Sequence, residues 1–137
     1  MTMTATKPNH ALTNAEGQLE NIIELYKLSQ VEDDERDIEQ EARDMALDVC
    51  YRSQEWLAVG KKEDFEPTQG RVLLSYGGPS CQVTCDLENG WPVNPEIQWQ
   101  DWGTPWTFAH IRQDLGLDYD EGNKALVWFI NLFYWGE

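Results

Sequence analysis

Two histidines, His10 and His110, are all the imidazole in this 137-residue chain. A zinc site of the usual His/Cys kind, or a Ser-His-Asp relay, therefore has almost no raw material. Three cysteines, Cys50, Cys81 and Cys85, make an odd set. Four positions apart on one strand, Cys81 and Cys85 would stand about 13 Å from each other, far outside disulfide reach. Reduced, buried thiols in a reducing compartment are the expectation. No apolar run approaches the roughly 18 residues of a membrane span, and residues 1–12 lack the basic and apolar regions of a secretory signal, so a cytoplasmic protein is expected. Positive charge is scarcest of all: 10 Lys and Arg face 25 Asp and Glu, a net charge of −15. Affinity for phosphate backbones comes from cations that release counterions, so direct binding of nucleic acid is excluded. A basic protein surface would instead be drawn to the chain by long-range attraction.

What is present is core material. Apolar residues make up 41% of the chain and there are seven tryptophans, which separates it from acidic chains too poor in apolar surface to fold. Residues 1–12 read as a disordered tail and 13–137 as one domain. Thr13 or Asn14 offers a helix cap, and Leu19, Ile22, Ile23 and Tyr26 form one apolar stripe of a helix ending near Ser29. From Glu32 to Asp48 nine carboxylates stand against Arg36 and Arg43. Ile38, Ala42 and Met45 keep a narrow apolar stripe there, which predicts a second helix over 32–46 with an acidic first turn.

The period then changes. Strands are predicted over 47–53, 71–76 and 80–87, the last two joined by a turn at Gly77-Gly78-Pro79, with Cys81, Val83, Cys85 and Leu87 on one face. Residues 54–70 and 88–95 read as loops, 96–102 as a fourth strand with Ile97 and Trp99 inward, 108–115 as a short helical piece and 121–134 as a closing helix. The fold expected is α+β, a four-stranded antiparallel sheet with helices packed on one face.

No constellation for catalysis emerges. Cys50 as a nucleophile would need His110 and an electropositive setting, whereas its neighbours are acidic. Gly77-Gly78-Pro79 lacks the lysine and following helix of a phosphate loop. No catalytic residue, cofactor or metal is therefore expected. Two features point to binding. Carboxylates at helical spacing lie about 5–6 Å apart, close to the phosphate separation along a nucleic-acid strand, which singles out Asp33, Asp34, Asp37, Glu41 and Asp44. Aromatic residues crowd residues 91–108, and a strand sends only half its side chains inward, so Trp102 and Trp106 are the candidate contact anchors.

Three stretches together resemble a family of small proteins found on bacterial phages, plasmids and other mobile elements: Leu73-Leu74-Ser75-Tyr76-Gly77-Gly78-Pro79, Gln98-Trp99-Gln100-Asp101-Trp102-Gly103-Thr104-Pro105-Trp106-Thr107, and Phe133-Tyr134-Trp135-Gly136-Glu137. The likeness extends over residues 36–137 and includes Arg52-Ser53. It departs at Cys85-Asp86-Leu87, where the family tends to Gly-Glu-Leu, and at Trp135, where Phe is usual. The resemblance implies no reaction or cofactor. It implies a mobile-element setting in a bacterial host, where small acidic proteins often inhibit defence systems. A non-enzymatic inhibitor of a CRISPR effector or restriction enzyme, acting on its basic nucleic-acid-binding surface, is the resulting expectation. A homodimeric accessory scaffold of the element, joined through its aromatic surface, is the alternative.

Overall fold

The computed structural model describes residues 10–31, 35–53, 56, 58–60 and 66–135. Residues 1–9 of the expected tail, and much of the loop expected over 54–70, lie outside them. Eight elements follow in chain order: α1 (His10–Ser29), α2 (Ile38–Arg43), β1 (Asp48–Arg52), β2 (Gln69–Ser75), β3 (Ser80–Glu88), β4 (Trp91–Gln100), β5 (Thr107–Ala109) and α3 (Tyr119–Ile130). The five strands form one antiparallel meander in the order β1-β2-β3-β4-β5.

The sheet thus has five strands where four were expected. The addition is β5, three residues that pair Ala109 with Ile97 and Thr107 with Trp99. A strand this short shows no alternation of its own. Ile111 and Leu115, both buried, instead imitate a helical spacing, which is why 108–115 read as a helix. The chain there turns: the backbone N–H groups of Asp114 and Leu115 both donate to the His110 carbonyl, and Asp114 Oδ2 accepts from the His110 N–H at 2.8 Å.

The fourth strand is also longer than expected, starting at Trp91 instead of Glu96. Asn89 and Gly90, both at positive φ, close a two-residue hairpin of the kind that matches strand twist. Pro92 and Pro95 had argued for a loop. They are tolerated because β5 pairs only with residues 97–99 of β4, leaving the outer side of the proline segment open, where a missing N–H costs nothing.

α2 is only six residues long. Asp37 caps it, its Oδ1 accepting from the Gln40 N–H at 3.1 Å, and the Met45 and Ala46 N–H groups tighten onto the carbonyls of Ala42 and Arg43 before the chain enters the sheet. α1 starts earlier than the expected caps, so that Ala11 joins Ala15, Leu19, Ile22, Ile23 and Leu25 in its buried stripe. α3 is capped by Asp118, whose Oδ2 accepts from the Glu121 N–H at 2.9 Å.

α1 and α3 lie against a single face of the sheet, burying Val72, Leu74, Cys81, Val83, Cys85, Leu87, Ile97 and Ala109 under Leu19, Ile22, Leu126, Phe129 and Ile130. Past α3 the chain folds back and sets Trp135 on the β2 backbone. Its indole Nε1 donates to the Ile130 carbonyl at 2.8 Å. A Cβ at Gly70 would come within 2.7 Å of Trp135 Cε3, so only glycine fits beneath the ring.

Burial also sorts the thiols. It pushes Cys81 up to about 12 and Cys85 up to about 11, from an ordinary value of 9.0. Cys50 is half-buried on β1, its Sγ donating to Asp48 Oδ2 at 3.2 Å. In native protein at pH 8, an alkylating reagent should therefore modify Cys50 first, with Cys81 and Cys85 reacting only at the rate of unfolding. Peptide mapping against time checks this, and equal rates at all three would contradict the packing. Because the two buried thiols hold their protons longer than the unfolded chain does, their contribution to stability is full below pH 9. It should be lost as pH rises toward 12.

Candidate binding surface

Among the described residues, no helix packs on the other face of the sheet. Strand register sets the rows of side chains across it: Leu73, Gln82, Gln98 and Phe108 in one, and Cys50, Arg71, Thr84 and Glu96 in the next. Arg52, Gln69 and Asp86 make a third. All of these except Leu73 and Phe108 line, together with Asn94 and Trp106, a shallow concavity of about 600 Å³. A bulge between Thr84 and Asp86, with Asn94 at positive φ, bends the sheet beneath it.

The polar groups here are partly committed. Arg52 Nε donates to Gln69 Oε1 at 2.7 Å, and Asn94 Nδ2 to Asp86 Oδ2 at 3.1 Å. Gln82 Nε2 donates to Gln98 Oε1 at 2.7 Å. Gln82 is only 5% exposed, and its Oε1 has no hydrogen-bond partner. A buried acceptor left unmade costs roughly 1–3 kcal/mol.

Trp102 lies two residues past the end of β4. It is 79% exposed, yet its backbone is pinned. Asp101 Oδ1 accepts from the Trp102 N–H at 2.8 Å, the Asp101 N–H donates to Thr104 Oγ1 at 3.0 Å, and the Thr104 N–H returns to the Asp101 carbonyl at 3.1 Å. Gly103 supplies the positive φ that closes the turn. Trp106, four residues on, is half-buried in the wall of the concavity. The two tryptophans predicted as anchors are thus placed differently, one presented to solvent and one lining a hollow.

The five predicted carboxylates fare differently. Asp33 and Asp34 lie outside the described residues. Asp37 serves as the α2 cap. Glu41 takes both Arg36 Nε and Nη2, at 2.9 and 2.7 Å, and this pairing holds its carboxyl below the ordinary value. Asp44 accepts from Gln40 Nε2 at 2.8 Å. Other acidic groups stand on α1 (Glu16, Glu20, Glu24), α2 (Glu39), β1 (Asp48), β3 (Asp86, Glu88), β4 (Glu96) and α3 (Asp120, Glu121). Among the described residues, carboxylates are therefore found on all three helices and on three of the strands.

Among the described residues, no group of three or more His, Cys, Asp or Glu side chains is placed to hold a metal ion, and no helix is long and apolar enough to cross a membrane. The concavity with Gln82, Gln98 and Arg71 was not singled out from the sequence. Its signal was the polar alternation Gln82, Thr84, Asp86, which reads equally well as an ordinary solvated face. Comparison with protein-family models, with curated proteins and with solved structures finds no match to the chain.

Proposed function

We propose that the chain is a non-catalytic binding protein of a phage or mobile element. In this reading it inhibits a host defence complex, a CRISPR effector or a restriction enzyme, by occupying a basic surface made for nucleic acid. The observation that carries the reading is Trp102, a large apolar ring held in water by a hydrogen-bonded turn on a molecule of net charge −15. Such a ring gains most when a partner desolvates it, and the surrounding charge selects a cationic partner and raises its on-rate. The mobile-element setting comes from the sequence resemblance.

The test uses purified complexes. CRISPR effectors and restriction endonucleases are assayed for cleavage with and without the chain, over a range of salt. Inhibition of at least one is expected, relieved by excess substrate DNA and weakened as salt rises. No inhibition across the panel, or inhibition indifferent to both DNA and salt, would remove the reading. A second reading, the homodimeric scaffold, draws on the exposed Leu47, just before edge strand β1, and on the exposed Val49 and Tyr51 within it. Sedimentation decides it: a salt-indifferent dimer dispersed by Tyr51→Lys would favour the scaffold.

A further inference from the structure

We infer that the uncovered sheet face is a receptor for one arginine side chain of the partner, with Gln82 Oε1, Glu96 and Trp106 as its recognition groups. This rests on the reading that the partner is basic. The carrying observation is the Gln82 acceptor, which lines the concavity, lacks a donor and exposes less than 1 Å². Its Nε2 is held by Gln98 Oε1, so the oxygen is the atom of this amide left to accept from a donor that enters the hollow. If the Gln82 and Gln98 amides are flipped together, the orphan becomes a nitrogen. The oxygen assignment is the one a cation completes.

Three further features select guanidinium over other donors. Glu96 is exposed on the row next to Gln82 and Gln98, and among the described residues its carboxylate meets no side-chain hydrogen-bond or ion-pair partner, so it offers a planar two-oxygen acceptor, the fork that arginine matches bidentately. Trp106 supplies an aromatic wall suited to a flat delocalised cation. The charge balance of −15 favours a positive ligand at any site. Two cations also line the concavity and must be counted against this. Arg52 is held by Gln69. Arg71 lies two strands from Glu96 in the same row, about 10 Å away at ordinary strand spacing, on the opposite side of the hollow.

The test is a nuclear magnetic resonance titration of the full chain, reading the side-chain amides of Gln82 and Gln98 and the indole N–H of Trp106. Three probes are added separately: acetyl-Gly-Arg-Gly-amide, its lysine counterpart, and adenosine monophosphate. Saturable shifts with the arginine peptide are expected, with the lysine peptide about fivefold weaker or worse because it lacks the planar fork. Gln82→Met should abolish the response with little change in thermal stability, since loss of the unsatisfied oxygen offsets loss of the bond to Gln98. Glu96→Gln should weaken binding about threefold or more, and Glu20→Gln on α1, which removes the same charge elsewhere, should not.

No shift, equal response to both peptides, or response to the nucleotide alone would overturn the arginine receptor; the last would reassign the hollow to anions through Arg71. Failure here with inhibition of a defence complex intact leaves the proposed function standing. Absent inhibition with the peptide response intact removes that function and leaves the receptor.

Discussion

Trp135→Ala is expected to lower the unfolding free energy by about 3–5 kcal/mol, a fall in midpoint temperature on the order of 10 °C or more for a chain of this size. The ring is buried, its nitrogen satisfied by Ile130, and its six-membered edge lies on the Gly70 backbone. It also extends the edge-to-face series Phe129–Phe133–Trp135, with centroid separations of 5.2 and 6.3 Å. Gly70→Ala should cost about 1–3 kcal/mol by forcing that ring away. Once Trp135 is alanine, the Gly70 change should cost much less, because nothing remains for the new methyl group to strike. Urea titrations of the two single variants and the double variant close the cycle. Additive losses would mean that the two residues do not meet.

Trp102→Ala carries the largest functional effect. Loss of a central tryptophan anchor weakens a protein complex by about 2 kcal/mol or more, roughly 30-fold in dissociation constant. Stability should barely change, within about 0.5 kcal/mol, since the ring packs on little in the free chain. Asp37→Asn and Asp44→Asn are expected to move affinity by less than about threefold each, because long-range attraction is shared among many carboxylates. Their effect should lie mainly in the association rate. Titration calorimetry with the inhibited complex separates the two classes. An affinity indifferent to Trp102 but collapsing with a single α2 carboxylate would reverse the assignment of roles.

How far the sequence was legible follows from the kind of signal each element carries. β3 was clear because Cys81, Val83, Cys85 and Leu87 alternate over its length and Gly77 marks the turn before it. α1 and α3 were clear because their apolar stripes repeat over several turns. β5 was invisible, since three residues hold no period and its existence depends on the register of β4. The start of β4 was hidden by Pro92 and Pro95, whose usual meaning reverses on an unpaired outer side. The acidic run before β1 looked like a long helix because carboxylates favour a first turn, but Asp37 captures the cap and α2 begins beneath it.

The exposure of Trp102 was legible as aromatic excess over what one strand can bury. Gln82 was not, because which polar residues share a row depends on two bulges, between Leu73 and Ser75 and between Thr84 and Asp86. Neither bulge leaves a signature as plain as a hairpin glycine.

The two prolines of β4 also bear on how this chain behaves when crowded. Among the described residues, no strand pairs with the outer margin of the sheet across residues 91–96, and an open margin of that kind templates stacking of one molecule on the next. Pro92 and Pro95 offer an incoming chain no amide hydrogen, and Glu96 adds a charge that identical copies would have to bring together. Pro95→Val should therefore raise the rate of fibril formation at high concentration, read as thioflavin fluorescence against time, while dilute samples stay unchanged.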